Sequence, residues 1–424
     1  MNRKRSVPAG LAALYGRACG LDVHKKLVVA CVRILESKDG TVQSTLRKFG
    51  TMTADLLELR QWLAELRVSH VAMESTGVYW QPVFNLLEGH FQVWVVNAQH
   101  IKKVPGRKTD MKDAEWIAQL LQCGLLRPSF VPDRQQRELR DLTRQQTKLV
   151  QQRNAVGNRI EKVLETANIK LGSVASDVLG VSGRKMIEAL IAGERDATVL
   201  ADLAQHKLRQ KIPELQRALA GELTDHHRFL LRQLLGQYDF FEKEIARVSE
   251  RLGAVAPPSF RAAVEQIDAV AGIAERGARA LLAETGTDMS RFPTYKHFTS
   301  WAGQCPGNHE SAGKRRSGKT PAANRHIDAV LTEMAHAAVR TKNSYFKSQY
   351  HHLASRRGKK TAIGAVKHSL LVTVYFMLRD NKPYQDLGAD YFDKLNPQQR
   401  IRYHVRKLKE LGQQVELSPM ADAA

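Results

Sequence analysis

A chain of 424 residues has room for two or three domains, and its 43% apolar content is ordinary for a globular protein. Its 65 lysines and arginines against 43 aspartates and glutamates leave a formal charge of +22, a surplus that usually answers a polyanion, nucleic acid before a membrane surface. No stretch approaches the ~20 apolar residues of a membrane span, the longest candidate being LLVTVYFML, and the start, MNRKRSVPAG, has no apolar run to make a signal peptide.

Residues 15–130 alternate strand and helix signals. RACGLDV, KLVVACVRI and TVQSTLRKF predict three consecutive strands joined by short hairpin connections. TADLLELRQWLAELR follows as a helix with Leu56, Leu59, Leu63 and Leu66 on one face. Then come a strand at HVAME, a helix at VYWQPVFNLLEG, a strand at FQVWVVN and a helix starting in RKTDMKDAEWIA. Three strands, helix, strand, helix, strand, helix is the order of an RNase H-like α/β fold with a mixed sheet.

Residues 134–256 carry almost no strand signal. Leu142, Leu149, Val156 and Val163 stand seven apart in the first part. In the last part Leu231, Leu234, Tyr238, Phe241, Ile245, Val248 and Leu252 alternate spacings of three and four. Two long helices flanking shorter ones fit an antiparallel coiled-coil arm or a plain helical bundle. Either is a structural, dimerising element without chemistry, closed by the proline pair of GAVAPPSF.

Residues 260–380 are expected to be mainly helical, with 381–424 a mixed tail. IDAVAGIAERGARALLAETG, with Gly272 and Gly277, reads either as a helix-hairpin-helix element offering amides to phosphates or as a glycine-punctuated helical pair. A polar loop follows Cys305. Next comes a helix from about Asn324 to Arg340 with Ile327, Leu331, Met334, Ala335 and Ala338 inward, then an apolar helix from Ala362 to Leu378. Between Trp301 and Arg379 fourteen Lys/Arg stand against three acids, so half the surplus charge lies in under a fifth of the chain, as in a binding face. The cysteines, Cys19, Cys31, Cys123 and Cys305, lack C-x-x-C spacing and read as reduced, buried thiols of a cytoplasmic protein, not as zinc ligands or disulfides.

Asp110 and Asp113, alone, are placed to cap a helix and to complement its dipole. Their company adds a second role, compatible with the first. Asp22 ends the first strand and Glu74 the fourth, and in an RNase H-like sheet those strands are neighbours. Four converging carboxylates would repel one another unless a hard cation joined them, and oxygen-only ligation favours magnesium or manganese. In GQCPGNHESAGKRRSGKTPAANRH, Ser311 and Ser317 lie among Lys314, Arg315, Arg316, Lys319 and Arg325. Cations there would hold a phosphate, and the serines are either loop residues or nucleophiles awaiting a base.

The GLDVHKK strand, MESTGVYW, the KTDMKDAEWIAQLL helix start, the helical middle, GIAERGARALLAETG, WAGQCPG and the serine loop together resemble the insertion-sequence "one-ten" family of DEDD transposases, the bridge-RNA-guided serine recombinases. The resemblance covers most of the chain. It implies a RuvC-like domain with Asp22, Glu74, Asp110 and Asp113 as catalytic metal ligands, a C-terminal transposase domain, and Ser311 as nucleophile. The sequence departs from the family with SAGK where a glycine often follows the serine, and with CPG where leucine and proline are usual, which keeps Ser317 as second choice. It further implies DNA at element ends and target, a guide RNA, a homo-oligomer (dimer or tetramer) and no membrane partner, with localisation in the cytoplasm at the nucleoid. Arg107 and Lys108 would guide the phosphate backbone. The rival reading is a RuvC-like junction endonuclease that uses metal-activated water.

Overall fold

The structure, a computed structural model, describes residues 2–6, 13–36, 41–75, 77–98, 101, 113–307, 309–318, 320, 323–395 and 397–418. Of residues 2–6, 309, 311, 315–317, 393, 399 and 400 it describes the backbone alone. The chain divides into two compact units, Met1–Pro132 and Asp133–Ala424.

The first unit is built on a six-stranded mixed sheet. Its elements are β1 (Asn2–Ser6), β2 (Arg17–Val23), β3 (Val28–Leu35), β4 (Thr41–Phe49), α1 (Thr53–Glu65), β5 (His70–Glu74), α2 (Trp80–Leu87), β6 (Gln92–Val96) and α3 (Asp113–Gln122). The strand order is β1-β4-β3-β2-β5-β6. Pairs from β1 to β2 are antiparallel, whereas β2, β5 and β6 run parallel. The first and fourth predicted strands, β2 and β5, are therefore neighbours, as the RNase H-like order requires. β1 was not among the expected strands: NRKRS has no apolar alternation and joins the edge through main-chain pairing, Asn2 opposite Thr45 and Ser6 opposite Thr41.

Side chains of successive strand residues point to opposite faces, and the two faces are covered differently. Cys19, Leu21, Val23, Val71 and Met73 pack with Leu56, Leu59 and Leu63 of α1 and with Val83, Phe84 and Leu87 of α2. Each buried leucine contributes roughly 1.5–3 kcal/mol, which holds a helix of thirteen residues that would be marginal alone. Ala18, Ala72 and Val96 look the other way, onto Trp116, Ile117, Leu120 and Leu121 of α3.

The second unit starts with α4 (Arg134–Thr166), capped by Asp133. Short helices α5 (Leu171–Val174), α6 (Val181–Ala192), α7 (Ala197–Asp202) and α8 (Ile212–Leu219) lead to α9 (Asp225–Val255). α4 and α9 pack antiparallel: Gln146 Nε2 donates to Ser249 Oγ at 2.7 Å, and Arg153 Nη1 to Glu242 Oε1 at 2.6 Å. Leu231, Leu234 and Leu252 of the expected seam are buried, but Tyr238, Phe241 and Val248 are only partly so. The reason is that other elements cover the ends of the pair. Short helices enclose one end with Ile160, Leu164 and Leu231, while Leu139, Leu252 and Ala256 at the other join the C-terminal core.

That core contains α10 (Pro258–Asp268), α11 (Glu275–Thr285), α12 (Tyr295–Trp301), α13 (Arg325–Arg340), α14 (Tyr345–Arg357) and α15 (Lys359–Asp380). The proline pair turns the chain from α9 into α10, with Pro258 in its first turn, where no amide is missed. α13 matches its predicted span, with all five expected inward residues buried. The glycines of the α10–α11 segment have a packing role. A Cβ on Gly272, whose φ is +89°, would lie 2.3 Å from Ala338 N, and one on Gly277 would lie 3.0 Å from Met334 Cε.

Two features differ from expectation. Part of the polar loop after Cys305 is a hairpin, β7 (His309–Ser311) and β8 (Lys314–Ser317), turning at Ala312 and Gly313, both with positive φ. α15 is long and apolar enough to cross a bilayer by length and composition, although its longest apolar run is short. Its Val366, Leu370, Leu371, Val374 and Tyr375 are buried in the protein core. The tail adds α16 (Tyr391–Leu395) and α17 (Pro397–Glu410).

Candidate carboxylate site and serine hairpin

Asp22 lies one residue beyond Leu21, which pairs with Met73; Glu74 is the residue after Met73. Both occupy the carboxyl end of the parallel pair, where ligands of open α/β sheets bind. By the period of two they share the face of Ala18 and Ala72, the face that α3 covers. Gly20, between Ala18 and Asp22 on that face, explains how the helix gets there. A Cβ at this position would stand 2.2 Å from Ala114 O and 2.3 Å from Ala118 N. Glycine lets the α3 backbone rest on β2, and Asp113, its first residue, arrives beside Asp22.

The electrostatics record that proximity. Burial pushes the Asp22 carboxyl up, His24 pulls it back, and the charges of Asp113 and Glu74 push it up again. His24 Nε2 sits 3.1 Å from Asp22 Oδ2, a contact made from the β2–β3 turn. Asp22 is partly exposed and Asp113 exposed, which leaves the site open to a ligand. Among the described residues no group of three or more His, Cys, Asp or Glu is drawn together as a metal site. Asp110, Arg107 and Lys108 lie outside the described residues. The far end of α3 is pinned on the same face by Arg33, 1% exposed, whose Nε donates to Gln122 Oε1 at 2.9 Å.

In the second unit Ser311 ends β7 and Ser317 ends β8, six residues apart in sequence across the hairpin. Lys314 opens β8 with its side chain exposed, Arg315 and Arg316 continue the strand, and Arg325 opens α13, also exposed. Lys319 lies outside the described residues. Arg325 lines a cleft of about 710 Å³ between α4, α11 and α13, together with Arg144, Lys148, Arg276 and His326.

One constellation escaped the sequence reading. Glu284, near the end of α11, is 2% exposed. Arg144 meets it with two hydrogen bonds, Nε to Oε1 at 2.6 Å and Nη2 to Oε2 at 2.9 Å. Asn324 Nδ2 donates to Oε2 at 2.7 Å, and Arg140 Nε lies 3.6 Å from the same oxygen. Arg140 and Gln136 also donate to the Ala283 carbonyl. Burial alone would raise the Glu284 carboxyl, but the hydrogen bonds and charge of Arg144, with Asn324 and Arg140, bring it below its ordinary value. A glutamate inside the apolar run ALLAET was the available signal, since buried charges are almost always paired. Its arginine partners were beyond reach because they lie about 140 residues away on α4.

Residues 19–169 match a transposase family, the DEDD transposases of IS110, and residues 264–351 match the "Transposase IS116/IS110/IS902 family". A "Probable family 20 transposase" of Pseudomonas aeruginosa is 26% identical over 287 residues, covering 67% of this chain and 75% of the relative. The Thermus thermophilus RuvC structure aligns with 27% of this chain and 99% of its own at 14% identity, with a TM-score of 0.21. With both family matches falling in order along the sequence, the chain belongs to the IS110 family of transposases.

Proposed function

We propose that this chain cuts and rejoins the DNA of an insertion sequence through a phosphoserine intermediate, with target choice made by a structured RNA. The observation that supports the reading is that Asp22 and Glu74 end neighbouring parallel strands on the face that α3, which Asp113 opens, covers; the Asp22 carboxyl is raised first by burial and further by the charges of Asp113 and Glu74. Such mutual repulsion among oxygen donors fits a divalent cation. Asp22, Glu74, Asp110 and Asp113 would hold magnesium or manganese, which when bound supplies Lewis-acid stabilisation of a phosphodiester.

Ser311 is the nucleophile in this reading, and Ser317 the second candidate. Its Oγ bonds to phosphorus and gives up its proton to a base, while the P–O3′ bond breaks and the departing oxygen takes a proton to become a 3′-hydroxyl. The phosphodiester is conserved as a phosphoserine ester, so a 3′-hydroxyl from the other DNA rejoins it without net hydrolysis. Lys314, Arg315, Arg316, Lys319 and Arg325 offset the phosphate charge. Arg107 and Lys108 steer the backbone, and base pairing with the guide supplies sequence choice. The protein works as a homo-oligomer in the cytoplasm, at the nucleoid.

The test is a denaturing gel. Labelled DNA, guide RNA and Mg²⁺ are incubated with wild type, Ser311→Ala, Ser317→Ala and Asp22→Ala. Wild type is expected to form a protein–DNA adduct that Ser311→Ala and Asp22→Ala lose. An adduct lost only in Ser317→Ala moves the nucleophile to that residue. Nicked DNA that persists in both serine variants without any adduct would refute the phosphoserine reading and favour metal-activated water.

A further inference from the structure

We propose that His24 is a positioning residue of the carboxylate site, its imidazole holding the Asp22 side chain in the orientation that receives a divalent cation; the inference rests on the metal-ligand role of Asp22. Sequence spacing makes the contact. Alternate residues of an extended chain point to one face, so Asp22 and His24 continue the row that begins with Ala18 and Gly20. Asp22 is the penultimate residue of β2 and His24 the first beyond it. The imidazole Nε2 lies 3.1 Å from Asp22 Oδ2. An ionised carboxylate only accepts hydrogen bonds, so the imidazole is the donor.

That donor is carried on backbone held from several directions. Val23 pairs with Val28 where β2 meets β3. Between them His24 N donates to Leu27 O at 2.8 Å, closing a tight turn. From the loop ahead of α1, Thr51 Oγ1 donates to the Lys25 carbonyl at 3.0 Å and ties the turn to the neighbouring connection. The backbone of Asp22 is equally fixed, opposite Val29, but the last torsion of an aspartate is broad and roughly two-fold. A hydrogen bond to one oxygen sets the plane of the carboxylate, and with it the second oxygen. Partners of this kind behind a metal ligand are commonly worth 10–100-fold in metal affinity. The same pair does little for the fold, because the His24 side chain is 60% exposed and exposed pairs add little stability. Removing the imidazole should therefore change metal affinity without changing stability, which a packing role would not do.

The test titrates Mn²⁺ onto the full-length chain and follows the free ion by electron paramagnetic resonance. Wild type is compared with His24→Ala, His24→Gln and Asp22→Asn, and melting temperatures are taken without metal. His24→Ala is expected to bind Mn²⁺ roughly 10–100-fold more weakly with an unchanged melting temperature. His24→Gln, whose amide N–H can donate to the same oxygen, should recover binding to within a few-fold. An imidazole does not attract a cation by its charge, so weaker binding in the alanine variant reads the lost hydrogen bond. Wild-type affinity in His24→Ala would overturn the proposal. Tighter binding would also overturn it, by showing that the imidazole competes with the cation for Asp22. A loss that glutamine does not rescue would sink the positioning role as well, and would make the imidazole itself a ligand. If wild type takes up no Mn²⁺, or Asp22→Asn takes up as much as wild type, the metal role of Asp22 falls and this proposal falls with it.

Discussion

Replacing Gly20 by alanine tests whether close approach of α3 to β2 is what brings Asp113 to Asp22. The added Cβ would stand 2.2 Å from Ala114 O, 2.3 Å from Ala118 N and 2.9 Å from Ala118 Cα. All three are backbone atoms of one helix, so no rotamer change relieves them. Ordinary carbon contacts lie near ~3.5 Å, and the helix must retreat by roughly 1 Å. Overpacking of this kind costs about 1–3 kcal/mol, offset by about 0.4–1 kcal/mol because alanine narrows the unfolded ensemble. A net loss of about 1–2 kcal/mol lowers the melting temperature of a unit this size by roughly 3–12 °C. The same displacement carries Asp113 away from Asp22, and the adduct rate should fall by about 100-fold. Gly16→Ala is the control: nothing lies within 4 Å of its added Cβ, and it should stay within about 0.5 kcal/mol of wild type. Calorimetry and the adduct gel read both. A Gly20→Ala protein with wild-type melting and wild-type rate would refute the reasoning.

Asp22→Asn should lower the adduct rate by about 100-fold or more, the several kcal/mol that a metal ligand supports, yet melt higher than wild type when no divalent ion is present. The sign follows from the raised Asp22 carboxyl: the native state keeps its proton longer than the unfolded chain, so the ionised form opposes folding above the folded value and ceases to do so as pH falls below 3.8. Melting curves at pH 7 and near pH 4 should show the advantage of the variant shrinking. Glu284→Ala leaves Arg144 without its buried carboxylate and should cost about 3–5 kcal/mol, read by urea denaturation. Because the Glu284 carboxyl is depressed, its contribution is present above 4.5 and lost as pH falls through the lower folded value, so wild type should converge on Glu284→Ala in acid. Arg325→Gln should weaken nucleic-acid binding evenly across sequences and reduce the slope of log affinity against log salt by about 1, measured by filter binding.

Part of the architecture around the candidate site was legible because its signals are local. Asp22 and Glu74 betrayed themselves as carboxylates ending apolar strands, and the run of strands and helices predicted which strands would be neighbours. α13 could be placed because Asn324 is a helix cap followed by an apolar period of three and four. β1 was illegible because NRKRS contributes only backbone to an edge. The hairpin at Ser311 was likewise hidden, since its turn depends on positive φ at Ala312 and Gly313 and not on an apolar pattern.

What the sequence determined by itself is the inventory and its order: the strand and helix run, the carboxylates at strand ends, the basic C-terminal stretch and the motifs of the family. Those are properties of spacing and composition, and spacing survives in one dimension. Tertiary structure alone decided the contacts between residues far apart in sequence. Gly20 is an ordinary strand glycine until Ala114 and Ala118 lie on it. Glu284 is an oddity in an alanine-rich helix until Arg144, about 140 residues away, closes on it from α4 and Asn324 completes its shell. A charge needs its partner in space to be stable in a core, and nothing in the order of residues names that partner.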